Sequence, residues 1–391
     1  MAHVEKTANK KKASKRRPAG RAREPLRFAV VGQGYFAQAA VLPAFARAQG
    51  CELRALFSED ATKLRALKRK YGVAAALGYD QYDDYLRSGE VDAVYVTVPN
   101  DQHRQYVERA AQAGVHVLCE KPLGVDAKDA EAMIAACQSA NVRLMTAYRL
   151  HFEAATLEAI KRVQSGEIGR PRFFASTFAM QVRKGNIRTS AERGGGPLLD
   201  LGIYCVNAAR SLFRAEPTEV MAIAASRESD SRFTEVDEQV TAILRFPDER
   251  LAQFTCSFGA YDHSSLTVVG EKGRVRLDPA YDYAVPLKLV TEIEGKKPRE
   301  KTFAKRDQVA AELVMFARAV REGRDPEPSG REGLADLRVL DAVTRAIDSR
   351  RVESVGSGRD PAVEHPNKDQ RIERPPHGMP DLVHARSPGQ D

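Results

Sequence analysis

Arg27-Phe28-Ala29-Val30-Val31-Gly32-Gln33-Gly34-Tyr35-Phe36-Ala37 decides the fold of this chain. An apolar, β-rich run ends on glycines where a helical pattern begins, an arrangement that holds a dinucleotide pyrophosphate. Gly32 permits the tight strand-to-helix turn, Gly34 lets backbone N–H groups approach the phosphates, and Ala37 lets the helix pack against the strand. Gly-x-Gly-x-x-Ala also occurs in ordinary loops. The preceding strand, the following amphipathic helix and the place near the start of the globular chain select the dinucleotide reading.

Outward from that turn the pattern alternates. Short β-rich runs at 26–31, 53–57, 91–98, 115–119 and 143–147 are separated by helical stretches at 37–47, 61–71, 102–113 and 126–140, the last opening on Asp126 as N-cap. Such alternation predicts an α/β fold with a doubly wound parallel sheet whose ligand sits at the carboxyl ends of the strands. Beyond Tyr148 one helix (152–164) leads into runs of period-2 character at 172–181, 218–228, 236–246, 250–258, 264–270 and 274–278. A helix at 197–213 interrupts them, and two more, at 308–321 and 332–349, follow them. This predicts a C-terminal α+β domain with an open, mostly antiparallel sheet. The expected organisation is a disordered basic tail (1–24), a Rossmann domain (25–147), a substrate and oligomerisation domain (148–350), and a Pro-rich disordered tail (351–391).

The net charge of +8 does not indicate nucleic acid, because ten Lys or Arg against two acids in residues 1–27 account for all of it. The body is close to neutral, so no basic stripe is expected and nucleic acid is not an expected partner. Arg16-Arg17 is followed by no apolar stretch, and no run in the chain is long and apolar enough to span a bilayer. Five scattered cysteines without a Cys-x-x-Cys pair read as reduced thiols of a cytoplasmic protein, not as metal ligands.

The 53–57 run leads into Ser58-Glu59-Asp60. An acid at this place would hold the ribose of NAD. Here Ser58 comes first, with Lys63 and Arg65 about a turn later, a set that suits a 2′-phosphate, while Glu59 or Asp60 could still meet a free ribose. NADP is therefore the expected cofactor and NAD the alternative; read purely as structure, Ser58 would cap the helix. Pro99 and Asn100 end one strand, with His103 beyond them, and Cys119-Glu120-Lys121-Pro122 ends the next. A lysine there points into the ligand crevice, where burial and a nearby cation are expected to lower its pKa into the range of proton transfer. Gly194-Gly195-Gly196-Pro197 would allow close backbone approach to a ligand and start a helix on which Asp200 and Tyr204, spaced i, i+4, share a face. A phenol of ordinary pKa about 10 becomes an acid–base group where a cation favours its phenolate, and Lys121 is the candidate. The structural alternatives are a surface lysine, a core tyrosine and a cap-region carboxylate.

In this order and spacing, the turn Gly32–Ala37, Glu120-Lys121-Pro122 and Asp200-Leu201-Gly202-Ile203-Tyr204 resemble the family of glucose-fructose oxidoreductase and inositol dehydrogenase, over residues 26–350. The chain is most similar to the glucose-fructose oxidoreductase branch through Leu56-Phe57-Ser58 with Lys63, Ala147-Tyr148-Arg149, Gly194-Gly195-Gly196 and Tyr204, where many relatives have His. The resemblance implies hydride transfer between nicotinamide and a carbon of a sugar or sugar-like polyol. Lys121, Asp200 and Tyr204 would surround the reacting hydroxyl. Gly32, Gln33, Gly34, Tyr35, Phe36, Ser58, Lys63, Pro99, Asn100, His103, Glu120, Lys121 and Arg149 would bind the cofactor, with Pro99, Asn100 and Glu120 on the nicotinamide side. It also implies a homodimer or homotetramer formed through the second sheet. This chain departs from the pattern in having no tryptophan: Asn186-Ile187-Arg188 stands where many relatives carry Trp-Arg. The rival expectations are a non-catalytic NADP or sugar sensor of the same fold, and an enzyme that interconverts sugars with bound cofactor and no net redox change.

Overall fold

A computed structural model describes residues 24–283, 285–356, 366 and 370–389. The expected basic tail lies, but for Glu24, outside the described residues. The first sheet contains β1 (Leu26–Val31), β2 (Cys51–Phe57), β3 (Ala75–Leu77), β4 (Ala93–Val96), β5 (His116–Glu120) and β6 (Leu144–Ala147). All are parallel, in the spatial order β3-β2-β1-β4-β5-β6. The order reverses between β1 and β4, which opens a crevice at their carboxyl ends. β1 is apolar on both faces, as a central parallel strand must be: Phe28 and Val30 enter one hydrophobic cluster, Ala29 and Val31 the other. At the end of β1, Gly32 has φ +92°, and a Cβ there would lie 2.8 Å from the Thr97 backbone. Both the positive φ and the close crossing of β4 require glycine.

The helix expected at 37–47 is irregular. It opens with a π-helical turn, Ala37–Val41, passes through α1 (Leu42–Ala44), and ends in a 3₁₀ turn, Phe45–Arg47. Pro43 has no N–H for the carbonyl of Ala39, and Leu42 instead donates to Ala37. The helices α2 (Ala61–Tyr71), α3 (Tyr82–Arg87), α4 (His103–Gln112) and α5 (Ala127–Ser139) complete the crossovers. Asp126 caps α5 by accepting from the Asp129 amide. Only β3 and α3 have no counterpart in the sequence reading of this region, since three and six residues are too few to show a period.

After α6 (Ala154–Gln164) comes a nine-stranded sheet: β7 (Pro171–Ala179), β8 (Glu219–Ala225), β9 (Gln239–Phe246), β10 (Arg250–Ser257), β11 (His263–Gly270), β12 (Gly273–Leu277), β13 (Leu287–Ile293), β14 (Arg299–Phe303) and β15 (Glu353–Ser354). All pairings are antiparallel except β7 with β10. The expected open sheet is present and larger than its pattern showed: β14 reads Arg-Glu-Lys-Thr-Phe, a charged edge strand that resembles a polar loop. One face packs on α6 and α7 (Ile203–Phe213). Strand register places Met221, Ile223, Ile243, Leu251 and Phe173 side by side on the other, where they are exposed.

Two corrections concern domain limits. Of the last helices, which belong by position to the second domain, α8 (Gln308–Glu322) packs on the first and α9 (Gly330–Ser349) packs on both, lying between α5 and β6 on one side and β8 and α7 on the other. Leu313 and Phe316 of α8 share a core with Phe28 and Val30, with the Phe316 and Phe28 rings 6.0 Å apart. α9 lies against α5, and Ser329 at its start bridges Met145 of β6. An amphipathic pattern shows that a helix buries one face but not against which sheet. Residues 370–389, expected within a disordered tail, are the second correction: they run along the Rossmann domain, with Ile372 and Val383 packed against its core, and then reach Arg183 beyond β7. Two apolar side chains spaced among prolines give no periodic signal. The intervening residues 357–365 and 367–369 of that tail lie outside the described residues. Among the described residues no helix is long and apolar enough to cross a membrane.

Candidate active site

The turn at Gly32, the ends of β2, β4 and β5, and the start of the π-helical turn Leu198–Gly202 before α7 surround one cleft of about 890 Å³ between the two sheets. Of the residues assigned to the site from sequence, Gly32, Gln33, Gly34, Tyr35, Phe36, Ser58, Lys63, Pro99, Asn100, His103, Glu120, Lys121, Arg149, Asp200 and Tyr204 lie on its wall, whereas Arg65 does not and donates to Thr62 instead.

The pyrophosphate end fits a dinucleotide. No side chain caps the helix start at Phe36, and a Cβ on Gly34 would meet no protein atom within 4 Å, so backbone donors there face open space. At the end of β2, Asp60 caps α2, with one oxygen accepting from the Lys63 amide at 2.8 Å and the other 2.8 Å from Nδ1 of His384. Both Asp60 oxygens are engaged, while Ser58 and Lys63 line the cleft. Of the two acids that could meet a ribose hydroxyl, Asp60 is thus occupied while Glu59 lines the cleft beside Ser58 and Lys63, the pair that suits a 2′-phosphate.

Two assignments change character. His103 is fully buried, with Nδ1 2.8 Å from the Pro122 carbonyl and Nε2 3.0 Å from that of Val98. Burial lowers its pKa, and its ring braces two loops instead of presenting a nitrogen to a ligand. Gly194 and Gly195 of the triple glycine line the cleft, and the close approach they permit is also to the protein itself. A Cβ on Gly194 would strike Val125 and Asn100, and one on Gly195 the carbonyls of Arg188 and Ser190; the Asn100 amide donates to the Gly194 carbonyl at 2.8 Å.

At the far end, Nζ of Lys121 donates to Oδ1 of Asp200 at 2.8 Å and to the Asp200 carbonyl at 2.9 Å, while Nε of Arg188 donates to Oδ2 at 2.6 Å. One residue of the π-helical turn thus offers both its side chain and its carbonyl to the same ammonium. The expectation of a depressed lysine is overturned. Burial alone would lower the pKa of Lys121, but Asp200 beside it outweighs that and raises it, so Lys121 stays an ammonium. Burial opposes ionisation of Asp200, yet Arg188 and Lys121 hold its carboxyl well below the usual range. Lys121 Nζ also sits 4.7 Å from the centroid of the Tyr204 ring, and the Arg149 guanidinium 5.0 Å from it.

Sequence reasoning missed the aromatic wall from the second sheet. Phe178 stacks edgewise on Tyr204 at 5.5 Å, Tyr281 lies 6.0 Å from it, and Tyr283 reaches across to Phe36 of the glycine turn. The cluster Tyr281-Asp282-Tyr283 after β12 was its available signal.

Behind the cleft, the Tyr95 hydroxyl lies 2.7 Å from Glu120 and 3.5 Å from Glu312. Burial pushes Glu120 up to about 7 and Glu312 well above its ordinary value. A carboxyl with a raised folded pKa keeps its proton where the unfolded chain has lost it, so stability is present at low pH and falls as pH rises from about 4.5 to about 7. Glu332, also raised to about 7, acts in the same direction. Urea unfolding between pH 5 and 8 should therefore show stability declining, by up to about 1.4 kcal/mol per pH unit for each such group, and Glu120→Gln should flatten the slope. A Glu120→Gln slope equal to that of the parent chain would mean that Glu120 titrates normally.

Comparisons with known proteins agree with this geometry. Residues 26–148 match the oxidoreductase family with NAD-binding Rossmann fold, and residues 156–276 match the GFO/IDH/MocA C-terminal domain. The chain is 32% identical over 333 residues to a D-xylose 1-dehydrogenase [NADP(+)] of Haloarcula marismortui, covering 83% of this chain and 92% of that protein. It is 30% identical over 337 residues to a dTDP-3,4-didehydro-2,6-dideoxy-alpha-D-glucose 3-reductase of Saccharopolyspora spinosa, covering 85% and 99%. Among solved structures, an aldose-aldose oxidoreductase from Caulobacter crescentus complexed with glycerol superposes with a TM-score of 0.81 at 36% identity, over 85% of this chain and all of that one. A 3-ketoreductase from Actinomadura kijaniata in complex with TDP-benzene and NADP gives 0.76 at 27% identity, over 83% and 98%. With both domains matched in order along one chain, this protein belongs to the GFO/IDH/MocA oxidoreductase family.

Proposed function

We propose that the protein is an NADP-dependent oxidoreductase acting on a CH–OH carbon of a sugar or sugar-like polyol. The convergence of Lys121, Asp200, Arg149 and Tyr204 at the nicotinamide end of a dinucleotide cleft carries this reading. Bound nicotinamide supplies or accepts the hydride. Tyr204 exchanges the proton of the reacting hydroxyl at its phenol oxygen. Lys121 stays charged because of Asp200, and with Arg149 it places positive charge where negative charge develops on the sugar oxygen. Asp200, clamped by Arg188 and Lys121, fixes the position of the ammonium. The aromatic wall of Phe178, Tyr281 and Tyr283 excludes water and offers apolar faces to a sugar ring. A sensor without chemistry would have no use for this ammonium–carboxylate–phenol set, and similarity to an NADP-dependent sugar dehydrogenase supports the enzymatic reading.

The test is to identify the dinucleotide bound by the purified protein by mass, then to screen sugars and polyols, singly and in pairs with a carbonyl acceptor, while following nicotinamide absorbance and products. NADP and turnover of at least one aldose or polyol are expected. NAD alone would overturn the roles of Ser58 and Lys63, and absence of hydride transfer across the screen would overturn the oxidoreductase reading. The exposed row of Met221, Ile223, Ile243, Leu251 and Phe173 supports a homodimer or homotetramer formed through the second sheet, and five unpaired cysteines support a cytoplasmic location.

A further inference from the structure

Residues 370–389 cross the mouth of the cleft from one domain to the other. Its path is fixed at intervals. Nε2 of Gln370 donates to the Glu327 carbonyl at 3.0 Å, and the Asp307 amide donates to the Arg374 carbonyl at 3.2 Å. Ile372 and Val383 pack against the core of the Rossmann domain. Over the helix that follows the glycine turn, the buried Gln38 side chain pairs reciprocally with Val383: its Nε2 donates to the Val383 carbonyl at 2.8 Å, and its Oε1 accepts from the Val383 amide at 2.7 Å. Lys70 donates to the Asp381 carbonyl at 2.6 Å, and His384 meets Asp60 at the end of β2. The segment then leaves the Rossmann domain and reaches Arg183 beyond β7. There the Arg183 amide donates to Pro388, Nη2 donates to the Ser387 carbonyl at 2.6 Å, and Nε donates to Gly389.

Ser387, Pro388 and Gly389 line the same cleft as Gly34, Ser58, Lys63 and Lys121. With the segment in place the cleft still measures about 890 Å³, in the upper part of the roughly 300–1,000 Å³ found for small-molecule and cofactor sites. The segment therefore roofs the site without filling it. Gln38, Asp60 and Lys70 hold it beside the adenosine and pyrophosphate half, and Arg183 holds it on the opposite bank. A dinucleotide lying from Ser58 to Lys121 passes beneath that crossing.

We propose that residues 371–389 are part of the dinucleotide site, a strap from the chain's own C-terminal segment that must lift before the cofactor leaves. This rests on the dinucleotide reading of the cleft. Its signature is kinetic. A cover fastened at both banks slows dissociation more than it changes the contacts of the ligand, so cofactor release should be limited by opening of the strap.

The test uses NADPH bound to the full chain, chased with excess NADP and followed by nicotinamide fluorescence, beside a chain ending at Gln370 and a full-length His384→Ala/Arg183→Ala double variant. Both variants are to be checked for cooperative thermal unfolding. The double variant keeps Val383 and Ile372 in the core, so it reports on the fastening should the shortened chain fold poorly. Release is expected to be at least tenfold faster from both variants, with the full chain retaining bound nucleotide through desalting. Equal release rates from full chain and double variant, or tighter binding by either variant, would overturn the strap while leaving the dinucleotide site standing. Failure of all three proteins to bind NADPH would overturn the strap together with the reading on which it rests.

Discussion

Tyr204→Phe should lower kcat on an identified sugar by about 10²–10⁴-fold, the usual contribution of a positioned acid–base group, while leaving NADPH affinity unchanged. The substitution removes one oxygen and keeps the ring that packs on Phe178 at 5.5 Å and lies under Lys121 and Arg149. The cleft should therefore keep its shape. Lys121→Met should cause a loss of similar size for a different reason: the ammonium disappears and Asp200 is left facing Arg188 alone. Because Lys121 is held protonated by Asp200, the pH profile of the parent enzyme should carry no ionisation from Lys121 at neutral pH, and Lys121→Arg should recover part of the activity. Steady-state kinetics with fluorescence titration of NADPH check both. Turnover of Tyr204→Phe at the parent rate would remove the phenol from the chemistry.

The largest expected effect on stability lies away from the cleft. Arg210 of α7 has no exposed surface and donates to Glu332 at 3.0 Å, Asp336 at 2.5 Å and Glu216 at 2.6 Å, while Asn207 donates to Glu332 and Asp336. Removing one partner of such a buried set leaves charges in a medium that cannot solvate them. Arg210→Met is expected to cost about 3–5 kcal/mol. Burial already raises the pKa of Glu332 and Asp336 against the pull of Arg210, so without the guanidinium both should take up protons readily. The loss should accordingly be smaller at pH 5 than at pH 8. Urea unfolding at the two pH values measures this; an equal loss at both would show that the carboxylates are not what Arg210 stabilises.

The fold was legible for most elements that carried their own period, β13 being an alternating strand that the reading passed over. The run at 26–31 is apolar on both faces because two helical layers cover it, and 61–71 coincides with α2 because Asp60 and Gly72 mark its ends. The residues that gather in the cleft were legible for a related reason: in a doubly wound sheet the crevice is fixed by topology, so polar residues at the ends of β4 and β5 had one place to go. What remained illegible depends on pairing between distant parts. The motifs brought Asp200 to Lys121 but not the contact that keeps the lysine charged, and Gly194 gives no sign that its neighbour is Asn100. His384 follows Asp60 by more than three hundred residues.

The placement of α8 and α9 has a consequence for how the molecule is made. A ribosome releases the six strands of the dinucleotide sheet long before the residues that cover Phe28 and Val30 on one face and α5 on the other. Until about residue 349 has emerged, a nascent chain carries a complete set of parallel strands with part of its oily surface bare. Closure of the N-terminal half thus waits on translation of α8 and α9, beyond nearly all of the second sheet, and a chain that stops before them is a nucleotide-binding module without its own closure.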